Sequence, residues 1–267
     1  MESAAFSDSA VRVHLEWWNY PLLFFVAVVA GLVDAIAGGG GLIALPALLT
    51  AGFPVPLALG TNKLQSVFGS GMATWHYSRH GVIDWRSCRL GIGLTFIGAL
   101  AGAWAVQRID AAVLSQFIPW LLAAILLYTI FRPQIGQEKR PPRVGATGFF
   151  IAAGLGLGFY DGFFGPGTGS FWTIALVLLL GQDFLAATGH TKVLNATSNL
   201  ASVLLFIAAG RVHWLAGGIM AVGQLAGARI GAGLVVKKGA RFIRPVFLTM
   251  VTLTIARLAY VALTRPR

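Results

Sequence analysis

A glycine-rich break inside an apolar helix, written twice, constrains this chain more than any other feature. The first copy runs from Gly31 to Lys63 and reads GLVDAIAGGGGLIALPALLTAGFPVPLALGTNK. An apolar helix meets Asp34 and stops at four glycines, Gly38 to Gly41. An apolar run containing Pro46 follows, then the turn Phe53-Pro54-Val55-Pro56, then Gly60-Thr61-Asn62-Lys63 opening a new apolar helix. The second copy, Gly158 to Lys192, reads GFYDGFFGPGTGSFWTIALVLLLGQDFLAATGHTK. Lipid offers no partner to a freed backbone group, so a helix broken at depth must be buried in protein or line a watery cavity. Two such breaks in matching places point to a binding site.

The duplication extends beyond the breaks. At an offset of 127, Gly31, Asp34, Gly38 and Gly40 match Gly158, Asp161, Gly165 and Gly167. At an offset of 129, Gly60, Lys63, Gly81, Trp85, Gly98 and Gly102 match Gly189, Lys192, Gly210, Trp214, Gly227 and Gly231. One two-residue shift reconciles the two offsets, so the chain reads as a duplication divided at a basic linker.

Composition sets the solvent. Of 267 residues, 57% are hydrophobic and 11% charged, where a soluble domain has roughly a quarter charged. Apolar segments are expected at 21–50 (broken at the glycines), 57–77, 90–107, 112–131, 144–180 (broken at Gly165-Pro166-Gly167), 185–208, 214–236 and 243–263. The unbroken ones hold roughly 17 to 24 residues, enough for a ~30 Å hydrocarbon layer at 1.5 Å per residue. Trp17, Trp18, Trp85, Trp120 and Trp214 sit near run ends, as an interfacial belt requires. The net charge of +11 lies mostly in short loops, a positive-inside pattern that argues against nucleic-acid binding. The single cysteine, Cys88, excludes an intramolecular disulfide and a cysteine metal cage. The polar first twenty residues lack a basic n-region and do not read as a cleaved signal peptide.

The expected fold is an all-α polytopic membrane protein of two homologous halves, each with about four hydrophobic segments, arranged as inverted repeats with Gly-broken helices. Its parts are a polar tail (1–20), a first transmembrane repeat (21–131), a basic linker (132–143), a second repeat (144–263) and a C-terminal tail (264–267). Inversion follows from loop charge. In the first half Arg79, Arg86 and Arg89 follow the second segment and Arg108 alone follows the third; in the second half Arg211 stands alone and Lys237, Lys238, Arg241 and Arg244 follow. If positive loops are cytoplasmic, matching loops lie on opposite sides. Each half then crosses an odd number of times, its broken segment re-enters or crosses twice, and both termini lie outside. The competing layout is eight plain spans in parallel halves.

Two groups of residues could carry chemistry. Broken helices expose N–H groups and a positive dipole end, a ready anion site. Gly39, Gly40 and Gly41 supply this in one copy; Gly167, Thr168 and Gly169, with the Ser170 hydroxyl nearby, supply it in the other. Gly98/Gly102 and Gly223/Gly227/Gly231, at four-residue spacing, are read as close helix crossings instead. The second group is Lys63 and Lys192, costly in an apolar run. Asn62, Ser66 and Ser70 share a helix face beside the first, and Thr191, Asn195, Ser198 and Ser202 beside the second, with His190 and Asn199 nearby. The plainer reading makes each lysine a buried tie to Asp34 or Asp161. Asp34 and Asp161 are also proton-coupling or gate candidates. Arg229 either lines the pathway or snorkels, and His76 and His80 are read as interfacial.

Other signals fail on context. Gly154-x-Gly156-x-Gly158 follows no strand, and Gly165-Pro-Gly-Thr-Gly-Ser lacks the lysine of a phosphate loop. Gly69-Ser70-Gly71 with a distant histidine is a weak protease signal. No cofactor and no metal is expected.

The chain resembles the sulfite exporter TauE/SafE family of membrane permeases over about 20–263. The resemblance rests on Gly31-Leu-Val-Asp34 with Gly38–Gly41 and Pro46, on Leu59-Gly60-Thr61-Asn62-Lys63, and on Gly158-Phe-Tyr-Asp161 through Gly169 followed by Gly189-His190-Thr191-Lys192-Val193-Leu194-Asn195. The two copies differ where Gly165-Pro-Gly-Thr168 stands against four glycines, and Thr191 against Asn62. The resemblance implies a bacterial inner-membrane permease for small sulfur-containing anions such as sulfite, thiosulfate or sulfonates. The expected activity is therefore not enzymatic but a secondary permease for a sulfur oxyanion or organosulfonate, working by alternating access. An anion channel-like pore is the first rival; an intramembrane enzyme or a signalling protein is the second. The expected partners are a small anionic substrate and the lipid bilayer, with proton coupling and a homodimer as further expectations.

Overall fold

The structure is a computed structural model in which residues 15–114 and 141–238 are described. They form helices α1 (Asn19–Ala37), α2 (Gly41–Thr50), α3 (Val55–Arg79), α4 (Trp85–Val106), α5 (Ala146–Phe163), α6 (Thr168–Leu180), α7 (Phe184–Ala208) and α8 (Trp214–Lys238). No strand occurs among the described residues. Trp120, Arg241, Arg244, the part of the apolar segment expected at 112–131 that follows residue 114, the segment expected at 243–263, and most of the basic linker lie outside the described residues.

The two offsets reproduce the element boundaries. Adding 127 to the first residues of α1 and α2 gives 146 and 168, where α5 and α6 begin. Adding 129 to the bounds of α3 gives 184 and 208, the bounds of α7. Local chemistry sets these starts. Asp84 caps α4 by accepting from Arg86 N at 3.0 Å, and Asp183 caps α7 by accepting from Ala186 N at 2.9 Å. Pro56 occupies the first turn of α3, where its missing N–H costs nothing.

Glycine ladders fix which helices touch and which way they run. Gly98 and Gly102 of α4 lie against Leu155, Phe159 and Phe163 of α5, while Gly158 and Gly162 lie against Thr95 and Ala99. Both sets of numbers rise together, so α4 and α5 are parallel. Gly223, Gly227 and Gly231 of α8 climb past Phe24, Val28 and Leu32 of α1 in the same way. Contacts of Thr61 with His213 and Gly69 with Gln224 make α3 parallel to α8. Those of Asp84 with His190 and Gly91 with Leu194 make α4 parallel to α7. Lys63 meets Asn199 whereas Gly60 meets Phe206, so α3 and α7 are antiparallel. Thus α1, α3 and α8 run one way and α4, α5 and α7 the other. The small-residue spacing served close crossing, as its four-residue period required.

The broken segments fold back on themselves. Arg143 N, just before α5, donates to Leu179 O near the end of α6 at 2.8 Å. The chain therefore returns to the side from which α5 entered. Gly40 likewise lies back against Ala30 and Asp34 of α1. Leu23, Ala27 and Ala30 of α1 share one apolar cluster with Leu42, Leu45 and Leu48 of α2.

The polarity of the bundle is that of a protein in lipid. Leu22, Phe25, Ile97, Leu204, Val222 and Ile230 are exposed on its outside, while two lysines and most of the amide side chains are buried within. Trp17, Trp18, Trp85 and Trp214 are exposed near helix starts, as belt residues should be. Among the described residues, α1, α4, α7 and α8 are long and apolar enough to cross a membrane. The chain is a multi-pass helical membrane protein. Given the helix directions, Arg79, Arg86, Arg89, Arg143, Lys237 and Lys238 gather at one end. Arg108 and Arg211 lie at the other, where Arg211 reaches the Gln107 carbonyl.

Gly227 tests the packing. A leucine there must displace the Val28 carbonyl, whereas Gly71 has nothing within 4 Å. Gly227→Leu is expected to lower the thermal midpoint of the detergent-purified protein by about 3–10 °C, and Gly71→Leu to leave it unchanged.

Candidate functional site

The two breaks meet inside the bundle. Gly38, at φ 77°, abuts Gly169 and Ser170, and Gly41 abuts Pro166. Gly38 and Gly167 (φ 85°) adopt left-handed backbone that only glycine takes without strain. The Ser170 hydroxyl donates to Ala37 O at 3.1 Å, satisfying a carbonyl at the end of α1. Tyr160 and Thr168 hydroxyls donate to Pro166 O and Gly165 O at 2.7 and 2.6 Å and hold the second break in shape. The N–H groups of Gly167 and Gly169 bond to no acceptor among the described residues. They leave a donor face at the start of α6.

Two lysines cross between the halves. Lys63 Nζ lies 2.5 Å from Asp161 Oδ1, and Lys192 Nζ lies 2.9 Å from Asp34 Oδ2. Each pair joins the third helix of one half to the broken helix of the other. The two pairs are not identical. Asp161 also accepts from the Ser198 hydroxyl, and Lys63 also donates to Asn199 Oδ1 at 3.2 Å. Asp34 instead accepts weakly from Gly40 N at 3.3 Å. Its side chain keeps 18% exposure, against 4% for Asp161. The plainer reading of the lysines, as ties to aspartate, is therefore what the geometry contains, with the partners exchanged between repeats.

A small polar cavity opens where breaks and pairs converge. Asp34, Gly40, Gly41, Asn62, Lys63 and Ser66 line it from the first half. Asp161, Gly167, Thr168, Gly169 and Asn195 line it from the second. The remaining sequence candidates lie outside its wall. Gly39 faces Val33 and Leu42. His190 accepts from Asp84 N at 3.1 Å through Nε2 and faces Gln182 Oε1 at 2.8 Å through Nδ1, so it locks a loop at the bundle end. Thr191 bonds to Thr173 at 3.0 Å. Lys192 is turned onto Asp34. At the opposite end His213 N donates to Thr61 Oγ1 at 3.0 Å. Since 213 and 190 stand 129 beyond 84 and 61, the two end contacts are counterparts.

Some residues escaped the sequence reading. Asn199 was seen only as a neighbour of the lysine, and Gln224 was hidden in the glycine ladder of α8, yet both line the cavity. The signal for Gln224 was a lone carboxamide in an otherwise apolar stripe. Arg229 lies outside the cavity wall; it is exposed, its guanidinium 5.9 Å from the Trp75 ring. The His76 and His80 rings stack loosely at 4.4 Å. Ser70 donates to Ser66 O of its own helix at 2.6 Å rather than to a histidine. No grouping of three or more metal-ligating side chains occurs among the described residues.

Buried charge, donor-lined breaks and a lipid-facing exterior together define a polytopic membrane protein built around an internal polar site. The chain belongs to the sulfite exporter TauE/SafE family, whose model matches residues 23–258. It is 46% identical over 239 residues to the probable membrane transporter protein YfcA of Escherichia coli strain K12, covering 90% of this chain and 89% of that one. It is 43% identical to a probable membrane transporter protein of Haemophilus influenzae, covering 90% and 94%. It is 42% identical to the probable membrane transporter protein ORF9 of Sinorhizobium sp, covering 88% and 89%. No solved structure matches the chain.

The crossed pairing makes a prediction. Lys63→Ala strands the Asp161 carboxylate and is expected to destabilise the protein by about 3–5 kcal/mol. Adding Asp161→Ala should recover much of that loss, whereas adding Asp34→Ala should not. Denaturation of the single and double variants in detergent reads the coupling directly.

Proposed function

We propose that this protein is a bacterial inner-membrane secondary permease for a small anion, a sulfur oxyanion or organosulfonate, working by alternating access. The observation that carries the reading is the meeting of two broken helices at a cavity that holds Lys63 and free backbone donors. In such a site N–H dipoles and an ammonium replace an anion's hydration shell. Family membership supports transport, and the sulfur chemistry comes from the family's description. The names carried by the relatives point the same way and away from an enzyme.

In this reading the halves are inverted repeats. The equivalent helices α1 and α5, α3 and α7, and α4 and α8 run in opposite directions, which parallel repeats would not do. The basic end, with Arg79, Arg86, Arg89, Lys237 and Lys238, faces the cytoplasm. The start of α1 then lies on the outer side. Rocking of one half against the other exposes the cavity to each side in turn, and the end contacts at His190 and Thr61 open alternately. An arriving anion competes with Asp161 for Lys63. A proton taken up by the displaced carboxylate would keep the buried charge balanced and couple transport to the proton gradient.

Reconstitution tests this. Proteoliposomes should take up sulfite or sulfoacetate above the rate of empty vesicles and concentrate it when a proton gradient is imposed. Uptake that only dissipates the anion gradient would replace the carrier with a pore. No uptake of any sulfur anion would overturn the substrate assignment.

A further inference from the structure

The cavity is lopsided, and the lopsidedness has a chemistry. Asn199 is 8% exposed and Gln224 2%. Asn199 Oδ1 faces Lys63 Nζ at 3.2 Å. An ammonium only donates, so the oxygen must be the atom turned to it, and the amide nitrogen points elsewhere. That nitrogen has no acceptor among the described residues. The Gln224 side chain threads between α1 and α3 at two glycines. A Cβ on Gly31 would come within 2.8 Å of Gln224 Oε1, and one on Gly69 closer still. Its carboxamide likewise makes no hydrogen bond among the described residues, yet it lines the cavity. Buried amides are rarely left unpaired, because the lost bond to water is not replaced.

Neither residue has a counterpart in the sister half. Subtracting 129 carries Asn199 to Ser70 and Gln224 to Thr95. The Ser70 hydroxyl is taken by Ser66 O, and Thr95 does not reach the cavity. Lys192 bonds to Asp34 and does not line the cavity. These two amides therefore have no like residue at the matching positions of the sister half. Two lysines and two aspartates cancel in formal charge, so these amides add attraction for acceptor oxygens without adding fixed charge. A ligand that uses them offers one oxygen to Lys63 and others to the amides. A singly charged oxyanion does this, and a halide, a single sphere, does it poorly.

We infer that Asn199 and Gln224 determine specificity for a singly charged oxyanion held against Lys63. This rests on the anion-permease reading and assigns its specificity to these two amides. The test is calorimetric binding of methanesulfonate, bisulfite and chloride to purified full-length protein in detergent. The unliganded thermal midpoint serves as the folding control.

Wild-type protein should bind one or both oxyanions and bind chloride more weakly. Asn199→Ser and Gln224→Thr, which install the residues of the sister half, should each weaken oxyanion binding by about tenfold or more. They should also narrow the gap to chloride, with the unliganded midpoint little changed. Asn199→Asp, near-isosteric but unable to donate when ionised, should abolish binding. Wild-type affinity in both Asn199→Ser and Gln224→Thr would overturn the inference and leave the permease reading standing. Wild-type protein that binds neither oxyanion would remove the anion reading itself, and this inference with it.

Discussion

The exchange of ion-pair partners between the halves is the interaction on which the rest of the structure depends. A lysine and an aspartate buried in each half could have neutralised one another locally. Instead Lys63 reaches Asp161 and Lys192 reaches Asp34. Taking either charge out of water is expensive, and an unpaired one more so. The arrangement is therefore satisfied only when the third helix of each half lies against the broken helix of the other. The two pairs specify the register between halves, a task that apolar packing in lipid performs poorly, since lipid tails are as apolar as the side chains.

Glycine makes that contact geometrically possible. The ladders at Gly98/Gly102 and Gly223/Gly227/Gly231 bring α4 onto α5 and α8 onto α1 at backbone distance. The broken helices are thereby gripped along their length, and their free ends are held facing each other. The polar stripe of α3 and α7 then has one place to go, the interior. Since each element is apolar outside and polar only where it meets its partner, the cavity is what remains where four polar surfaces converge without filling the space. Its donors, the Gly167 and Gly169 N–H groups and the spare amides, bond to no acceptor among the described residues.

Much of this was legible in the sequence because the duplication is an internal ruler. The offset of 129 relates the bounds of α3 to those of α7 to the residue, and the matching aspartates and lysines line up at the polar centre. The small-residue spacing announced the close crossings. What could not be read was partnership. Periodicity says that Lys192 and His190 lie on a helix facing inward. It does not say that one turns onto Asp34 and the other holds the Asp84 loop at the bundle end. Gln224 was invisible for a related reason: in a helix otherwise read as packing, one amide looks like a tolerated exception until the neighbouring glycines show it has been given a passage. Asn199 was visible as a polar neighbour, but its importance depends on Lys63, whose contact with it comes from 136 residues away.

The crossed pairs also bear on how the protein is made. Asp34 precedes its partner by 158 residues and Lys63 precedes its own by 98. At a synthesis rate of about 5–20 residues per second, Asp34 waits roughly 8–30 s for a counter-charge to leave the ribosome. Throughout that interval the first half holds a carboxylate and an ammonium that the finished fold forbids from pairing with each other. A nascent first half is therefore an unfinished membrane protein, obliged to shelter its charges in the insertion machinery or in water until the second half arrives. The duplicated gene encodes two similar halves, but neither is a self-sufficient unit of biogenesis.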